Sequence, residues 1–347
     1  MFGWEILHDI KEGSFRPIKW KEHRIATLRL AQAYKRIGSN KYHRIIQCGS
    51  SLTFRRYGDN SLRLNSANFC KTRLCPTCCW RRSVRTFAQA SKVMEAVADK
   101  YSFLFLTLTC KNVGASDLNK QIDRMYLAYK MLCLRKRFVD SVRGWCRSFE
   151  ITFNWTTKEY HPHYHVILAV DNEYFNNNLY IEQGEWSSMW KSCLNVDYTP
   201  IVDVRRLKAS EGGKGREIAE VAKYAVKPTS VMADLRGIAS YDEHIKEEII
   251  QFVNEISDTT IYVLDAALAH RRLIGYGGIL KQMHKQLNLT DDEDLIHVST
   301  DGEPVEYATF EIERYRWHTG YRNYLKLEDE PLEIEAIDEI EMTAPCG

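Results

Sequence analysis

His161-Pro162-His163-Tyr164-His165 places an imidazole at every second position and then runs into Val166-Ile167-Leu168-Ala169-Val170. Side chains two apart on a strand share a face, so this pattern predicts a strand on which His163 and His165 point at one metal ion. His161 shares that face, as a further ligand or as a hydrogen-bond partner. Just upstream, 147–155 reads as a strand and the polar residues 156–160 turn the chain. A hairpin there brings Glu150, within Phe149-Glu150-Ile151-Thr152-Phe153, opposite His163 or His165. A carboxylate inside an apolar strand needs a partner, and a metal supplies one. Two neutral imidazoles and a carboxylate suit manganese, with magnesium or zinc fitting in part.

Outward from this hairpin, Phe103-Leu104-Phe105-Leu106-Thr107-Leu108-Thr109 is a buried strand. An amphipathic helix follows over 116–137, with Ser116 or Asp117 as N-cap. Residues 181–193 read as a helix, 196–207 as a fourth strand, and the segment after the flexible 210–215 as a helix ended by Pro228. Strand, helix, strand, strand, helix, strand is the order of an α+β fold, a ferredoxin-like antiparallel sheet with helices on one face. Before it, 20–37 has helical spacing closed by Gly38, and a helix is expected from Arg81-Arg82-Ser83 to about residue 100. Beyond Pro228, 241–257 and 261–272 look like two helices, Gly275-Tyr276-Gly277-Gly278 like a turn, and 279–287 like a helix.

The chain has 347 residues, ten of them cysteine, and a net charge of +2. That length allows one large domain or two ordinary ones. No apolar run reaches membrane-span length, and the N-terminus lacks a secretory pattern, so a cytoplasmic protein is expected. Residues 1–110 carry 20 Lys or Arg against 7 Asp or Glu, and residues 286–347 carry 17 acids against 4 bases. A basic front half suits a polyanion. Abundant cysteine in a cytoplasmic chain points to metal rather than disulfides. Cys75-Pro76-Thr77-Cys78, with Cys48 and Cys70, supplies four thiolates for a structural zinc.

Glu220-Val221-Ala222-Lys223-Tyr224 puts a carboxylate and a phenol on one side of a helix. A phenol with a pKa of about 10 needs help to attack phosphorus, and a polarising metal with Lys223 and Lys227 nearby would give it. Glu220, one turn earlier, could activate water. Spacing alone favours a packed helix tyrosine at Tyr224, and Glu220 reads also as an ordinary solvated helix glutamate or a helix-face partner of Lys223.

Several motifs in this order resemble the replication initiators of Gram-positive rolling-circle plasmids, a branch of the His-hydrophobic-His (HUH) endonucleases. They are Cys48-Gly49, Phe69-Cys70-Lys71-Thr72-Arg73-Leu74-Cys75-Pro76-Thr77-Cys78, Trp80-Arg81-Arg82-Ser83, Phe105 to Thr109, the histidine strand, Ala222-Lys223-Tyr224 with Lys227, and Arg271-Arg272-Leu273-Ile274 with the glycine run. The resemblance implies His163 and His165 as the metal pair and Tyr224 as a nicking nucleophile that leaves a 5′-phosphotyrosine and a free 3′-hydroxyl. It makes Glu220 the residue that completes a cycle by hydrolysis. It also implies plasmid origin DNA with a hairpin nick site, a host helicase and a homodimer as partners. Arg73, Arg81, Arg82 and Arg85 stand as candidate phosphate contacts. On this reading 1–47 is a basic helical segment, 48–100 a zinc-binding module with a connecting helix, and 101–230 the endonuclease core. A mainly helical region over 231–327 and an acidic tail over 328–347 complete the chain. A related transposase or relaxase is the first alternative, and a zinc-dependent DNA-binding regulator without catalysis the second. A small-substrate hydrolase on a barrel would need repeated strand-helix units that the chain lacks.

Overall fold

The computed structural model describes residues 5–7, 19–58, 60–176, 178–207, 218, 221–222, 231, 242–289, 295–296 and 309–327. Glu220, Lys223, Tyr224, Lys227 and the acidic tail lie outside them. The described elements are α1 (Trp20–Arg36), α2 (Lys41–Gln47), β1 (Ser51–Tyr57), β2 (Leu62–Ala67), α3 (Pro76–Glu95), β3 (Tyr101–Thr109), α4 (Leu118–Cys133), α5 (Lys136–Ser141), β4 (Gly144–Asn154) and β5 (Glu159–Asp171). They continue with α6 (Gln183–Leu194), β6 (Val202–Arg206), α7 (Glu243–Ala267), β7 (Ile274–Gly277), α8 (Gly278–Gln286), β8 (Phe310–His318) and β9 (Asn323–Leu327).

The larger sheet has the order β6-β3-β5-β4-β7, and every neighbouring pair is antiparallel. Its first four strands come from a strand-helix-strand-strand-helix-strand run, with the first strand of that run beside the third, which is the ferredoxin-like arrangement. The even-numbered residues of β5, among them Tyr164, Val166 and Leu168, pack with Leu118, Ile122 and Met125 of α4 and with Trp186 and Trp190 of α6. Those two helices cover one face, as the element order predicts. On the other face Phe103, Phe105, Cys146, Ile167 and Ala169 pack with Ala90, Val93 and Met94 of α3 and Leu280 of α8. Ile218 and Val221 join that cluster, and the Ala222 amide donates to the Ile218 carbonyl at 2.9 Å.

Several elements differ from their sequence reading, among them the 116–137 helix, which divides into α4 and α5, and the 196–207 strand, which covers only Val202–Arg206. The helix expected at Arg81 starts at Pro76, which occupies its first turn. A proline there loses no hydrogen bond, because the first amides of a helix have no intrahelical acceptor. Where two helices are expected over 241–257 and 261–272, Glu243–Ala267 forms one continuous helix, α7. Its polar middle is held by tertiary contacts: Ser257 and Thr260 are buried, and Asp258 accepts from Arg36 of α1 at 2.8 Å.

The glycine run is not a free turn. Its first three residues lie in β7, paired with β4, and Gly278 begins α8. A Cβ on Gly277 would stand 2.2 Å from the Trp145 ring, so only glycine lets the strand approach.

The helical expectation for 231–327 also misses the second sheet. It has the order β2-β1-β8-β9, so the strands nearest the two ends of the described chain meet in it. Leu52, Phe54, Leu62 and Leu64 pack there with Tyr315, Tyr324 and Trp20.

Candidate metal centres

The β4–β5 hairpin pairs Glu150 directly with His163, and Ser148 with His165. Because β5 alternates, His163 and His165 project on the same side as Ile167 and Ala169, beyond the edge of the apolar cluster on that face. The Glu150 Oε2 atom lies 3.4 Å from His163 Nε2 and 3.3 Å from His165 Nε2, and Glu150 is only 2% exposed. One carboxylate oxygen and two imidazole nitrogens thus converge, with all their candidate ligand atoms within 4.8 Å of one another. Ligands bonded at about 2.1 Å around one ion stand about 3.0–3.4 Å apart, so the donor set and its spacing fit a divalent cation. Burial by itself pushes the Glu150 carboxyl up. Hydrogen bonding to His163 and His165, with their charge, outweighs it and holds the group well below the usual carboxylate range.

The imidazoles are oriented from behind. His163 Nδ1 lies 3.1 Å from the His161 carbonyl oxygen, an acceptor that orients the ring through Nδ1 and leaves Nε2 as the nitrogen that would face an ion. Thr107 Oγ1 is 3.4 Å from His165 Nδ1, and the Phe105 ring stacks on His165 at 5.5 Å. His161 lies outside the three-residue set and takes the hydrogen-bonding alternative: its Nδ1 is 2.8 Å from Asn112 Oδ1 while its ring stacks on His163. Thr107 and Asn112 were missed from the sequence, although Thr107 shares the parity of Phe105 on β3 and pairs directly with His165.

The four expected cysteines also converge. Cys48 Sγ lies 3.5 Å from Cys78 Sγ and 3.6 Å from Cys75 Sγ, and Cys70 Sγ is 3.7 Å from Cys78 Sγ. These separations far exceed a disulfide bond and approach the roughly 3.8 Å between sulfurs of a tetrahedral site with metal–sulfur bonds of about 2.3 Å. The amides of Cys70 and Thr72 point at the Cys48 and Cys70 sulfurs, at 3.3 and 3.5 Å, as they would at thiolates. Cys79 is not a member, since its thiol donates to the Arg73 carbonyl at 2.7 Å.

Helix α1 belongs to this assembly. Thr27 Oγ1 lies 2.9 Å from Thr77 Oγ1, and Arg24, buried, donates to the Cys48 and Ile46 carbonyls at 2.8 Å each.

The four candidate phosphate-binding arginines separate. Arg81 is 2% exposed, donates to the Leu295 and Ile296 carbonyls at 2.8 Å, and lies against the Trp20 and Trp80 rings. Its phosphate-contact reading is therefore corrected: it is a packing residue, and the start of α3 at Pro76 places it past the first turn. Arg82 donates to the Thr72 and Lys71 carbonyls at 3.1 and 2.5 Å, bracing the cysteine loop. Arg73 and Arg85 are partly exposed. No described helix is long and apolar enough to cross a membrane.

Comparison with known proteins shows the family. Residues 61–325 match the Rep_1 family, described as Replication protein. The chain is 37% identical to Protein rep of Bacillus amyloliquefaciens over 93% of its own length and 97% of that protein. It is 40% identical to Protein rep of a Bacillus species over 74% of this chain and 83% of that one. Protein rep of Streptococcus pneumoniae serotype 2 (strain D39 / NCTC 7466) is 34% identical over 92% and 94%. No solved structure matches it. With the family covering most of the chain and relatives aligned along nearly all of it, this protein belongs to the Rep_1 family of plasmid replication proteins.

Proposed function

We propose that the chain starts rolling-circle replication by nicking one strand of its plasmid origin, with Tyr224 as nucleophile. The observation that carries this reading is the convergence of Glu150, His163 and His165 on a ferredoxin-like sheet in a replication protein. Manganese or magnesium bound there would act as a Lewis acid on the scissile phosphate. Glu150 and the two imidazoles hold that ion, and the His161 carbonyl and Thr107 keep the rings in place. Ile218 and Val221 pack on the same face of the sheet as the histidines, and Tyr224 follows Ala222 by two residues.

The Tyr224 oxygen attacks phosphorus, the phenolic proton is released, and the bond to the 3′-oxygen breaks. A 5′-phosphotyrosine and a 3′-hydroxyl primer result. Lys223 and Lys227 offset the charge on the phosphate, and at termination Glu220 removes a proton from the water that hydrolyses a strand. Zinc in the tetracysteine site is structural. Arg73 and Arg85 contact phosphates of the origin.

The test is supercoiled plasmid carrying the cognate origin, incubated with manganese, with magnesium and with chelator. Nicked circles are expected with either metal and none with chelator, and His163→Ala should abolish them. Origin binding without nicking under any metal would favour the non-catalytic regulator.

A further inference from the structure

We propose that the outward face of β2, β1 and β8 is a binding surface for single-stranded DNA, separate from the metal site and from the arginines of the cysteine module. Alternation puts Leu52, Phe54, Leu62, Leu64, Glu313 and Tyr315 on the inner side of this sheet. The outer side then carries Arg55 and Tyr57 of β1, Arg63 of β2, and Phe310, Arg314 and Arg316 of β8. The register brings them together: Arg55 pairs with Ile312 and Arg63, Tyr57 with Phe310, and Thr53 with Arg314.

Two aromatic rings and four guanidinium groups therefore share one patch. The Arg55 guanidinium lies 4.6 Å from the Phe310 ring, Arg63 lies 5.5 Å from Tyr57, and the two rings stand 6.0 Å apart. Phe310 is 44% exposed, so its ring is open to a base.

On the inner side Arg56 is held by both Glu313 oxygens, at 2.7 and 2.9 Å, and Lys326 reaches the same carboxylate at 2.8 Å. No aspartate or glutamate in β1, β2 or β8 takes an outer position among the described residues. Guanidinium groups interleaved with flat apolar rings on these three strands are complementary to a polyanion whose bases are free to stack. A duplex keeps its bases inside and offers the rings no such partner. Cys48 immediately precedes the β1–β2 hairpin and Cys70 closes it, so the tetracysteine site clamps this platform at its base.

The test uses the full chain, as purified, without added manganese or magnesium, so that it reads binding whether or not the protein nicks. Fluorescence anisotropy would measure a labelled 20-nucleotide single strand and the corresponding duplex across a salt series. Arg55→Ala with Arg316→Ala should weaken single-strand binding about tenfold or more and lower the salt slope by about 1.4, roughly 0.7 per lost phosphate contact. Tyr57→Ala with Phe310→Ala should weaken single-strand binding roughly tenfold with the slope unchanged. Arg316→Gln, at an exposed position, serves if a double variant melts early, and it should lower the slope by about 0.7. Unchanged affinity and slope in variants that melt like the wild type would overturn the proposal, as would losses confined to the duplex.

Discussion

Glu150 stands directly across the β4–β5 ladder from His163, and its Oε2 atom is 3.4 Å from His163 Nε2 and 3.3 Å from His165 Nε2. A single register thus brings a buried carboxylate to two imidazoles on the next strand. A slip of one residue would turn Glu150 to the opposite face, among the aromatic residues beneath α4. Glu150→Ala should therefore weaken manganese binding by at least about tenfold, measured by isothermal titration or by the electron paramagnetic resonance of free manganese. Unaltered affinity would remove Glu150 from the ligand set.

The tetracysteine site makes a separate prediction. Elemental analysis should find one zinc per chain in the wild-type protein and none in Cys75→Ser. Loss of the site should cost about 4 kcal/mol or more of stability, because it joins α1, the β1–β2 hairpin and α3. Cys79→Ser should keep its zinc, since the Cys79 thiol is bonded to the Arg73 carbonyl.

How much of this was legible in sequence depended on the range of the signal. The histidine strand could be read because a period of two is local, and Glu150 because a hairpin ties its register to a nearby turn. The cysteines could be read because a Cys-x-x-Cys turn is a complete half-site. The pairing of Arg55 with Ile312 could not be, since nothing in a short strand names a partner some 260 residues away. Arg81 misled for a related reason: a basic residue near the start of a helix looks like an anion contact until its cage of Trp20, Trp80 and two carbonyls is seen. The glycine run was taken for a turn because the Trp145 ring that demands those glycines lies on another strand.

That last contact is itself testable. Gly277→Ala would drive a methyl group into Trp145 and should destabilise the protein by about 2 kcal/mol, loosening β7 from β4. Gly184→Ala, where a Cβ meets nothing within 4 Å near the start of α6, should be neutral or stabilising by roughly 0.5 kcal/mol. Thermal melts of the two variants make the comparison. Equal melting temperatures would contradict the close approach.

Acid stability should depend on Glu313. Burial raises its carboxyl, but hydrogen bonds from Arg56, Lys326 and Tyr315 lower it further, to about 2. Because the folded value lies below the unfolded one, the stabilisation is fully present above about pH 4.5 and is lost as the pH falls toward 2. Glu313→Gln should lower stability at neutral pH and flatten the acid limb between those values. Parallel limbs in denaturant titrations of the two proteins would show that Glu313 contributes nothing to it.

The proposed nick passes through a tyrosine-linked intermediate. The most direct measurement traps the covalent complex on an oligonucleotide carrying the origin nick site, with manganese, and locates the modified residue by peptide mass spectrometry. A 5′-phosphodiester is expected on Tyr224 in the wild-type protein and in neither Tyr224→Phe nor His163→Ala. Nicking without any protein-linked 5′ end, or a linkage that persists in Tyr224→Phe, would contradict it.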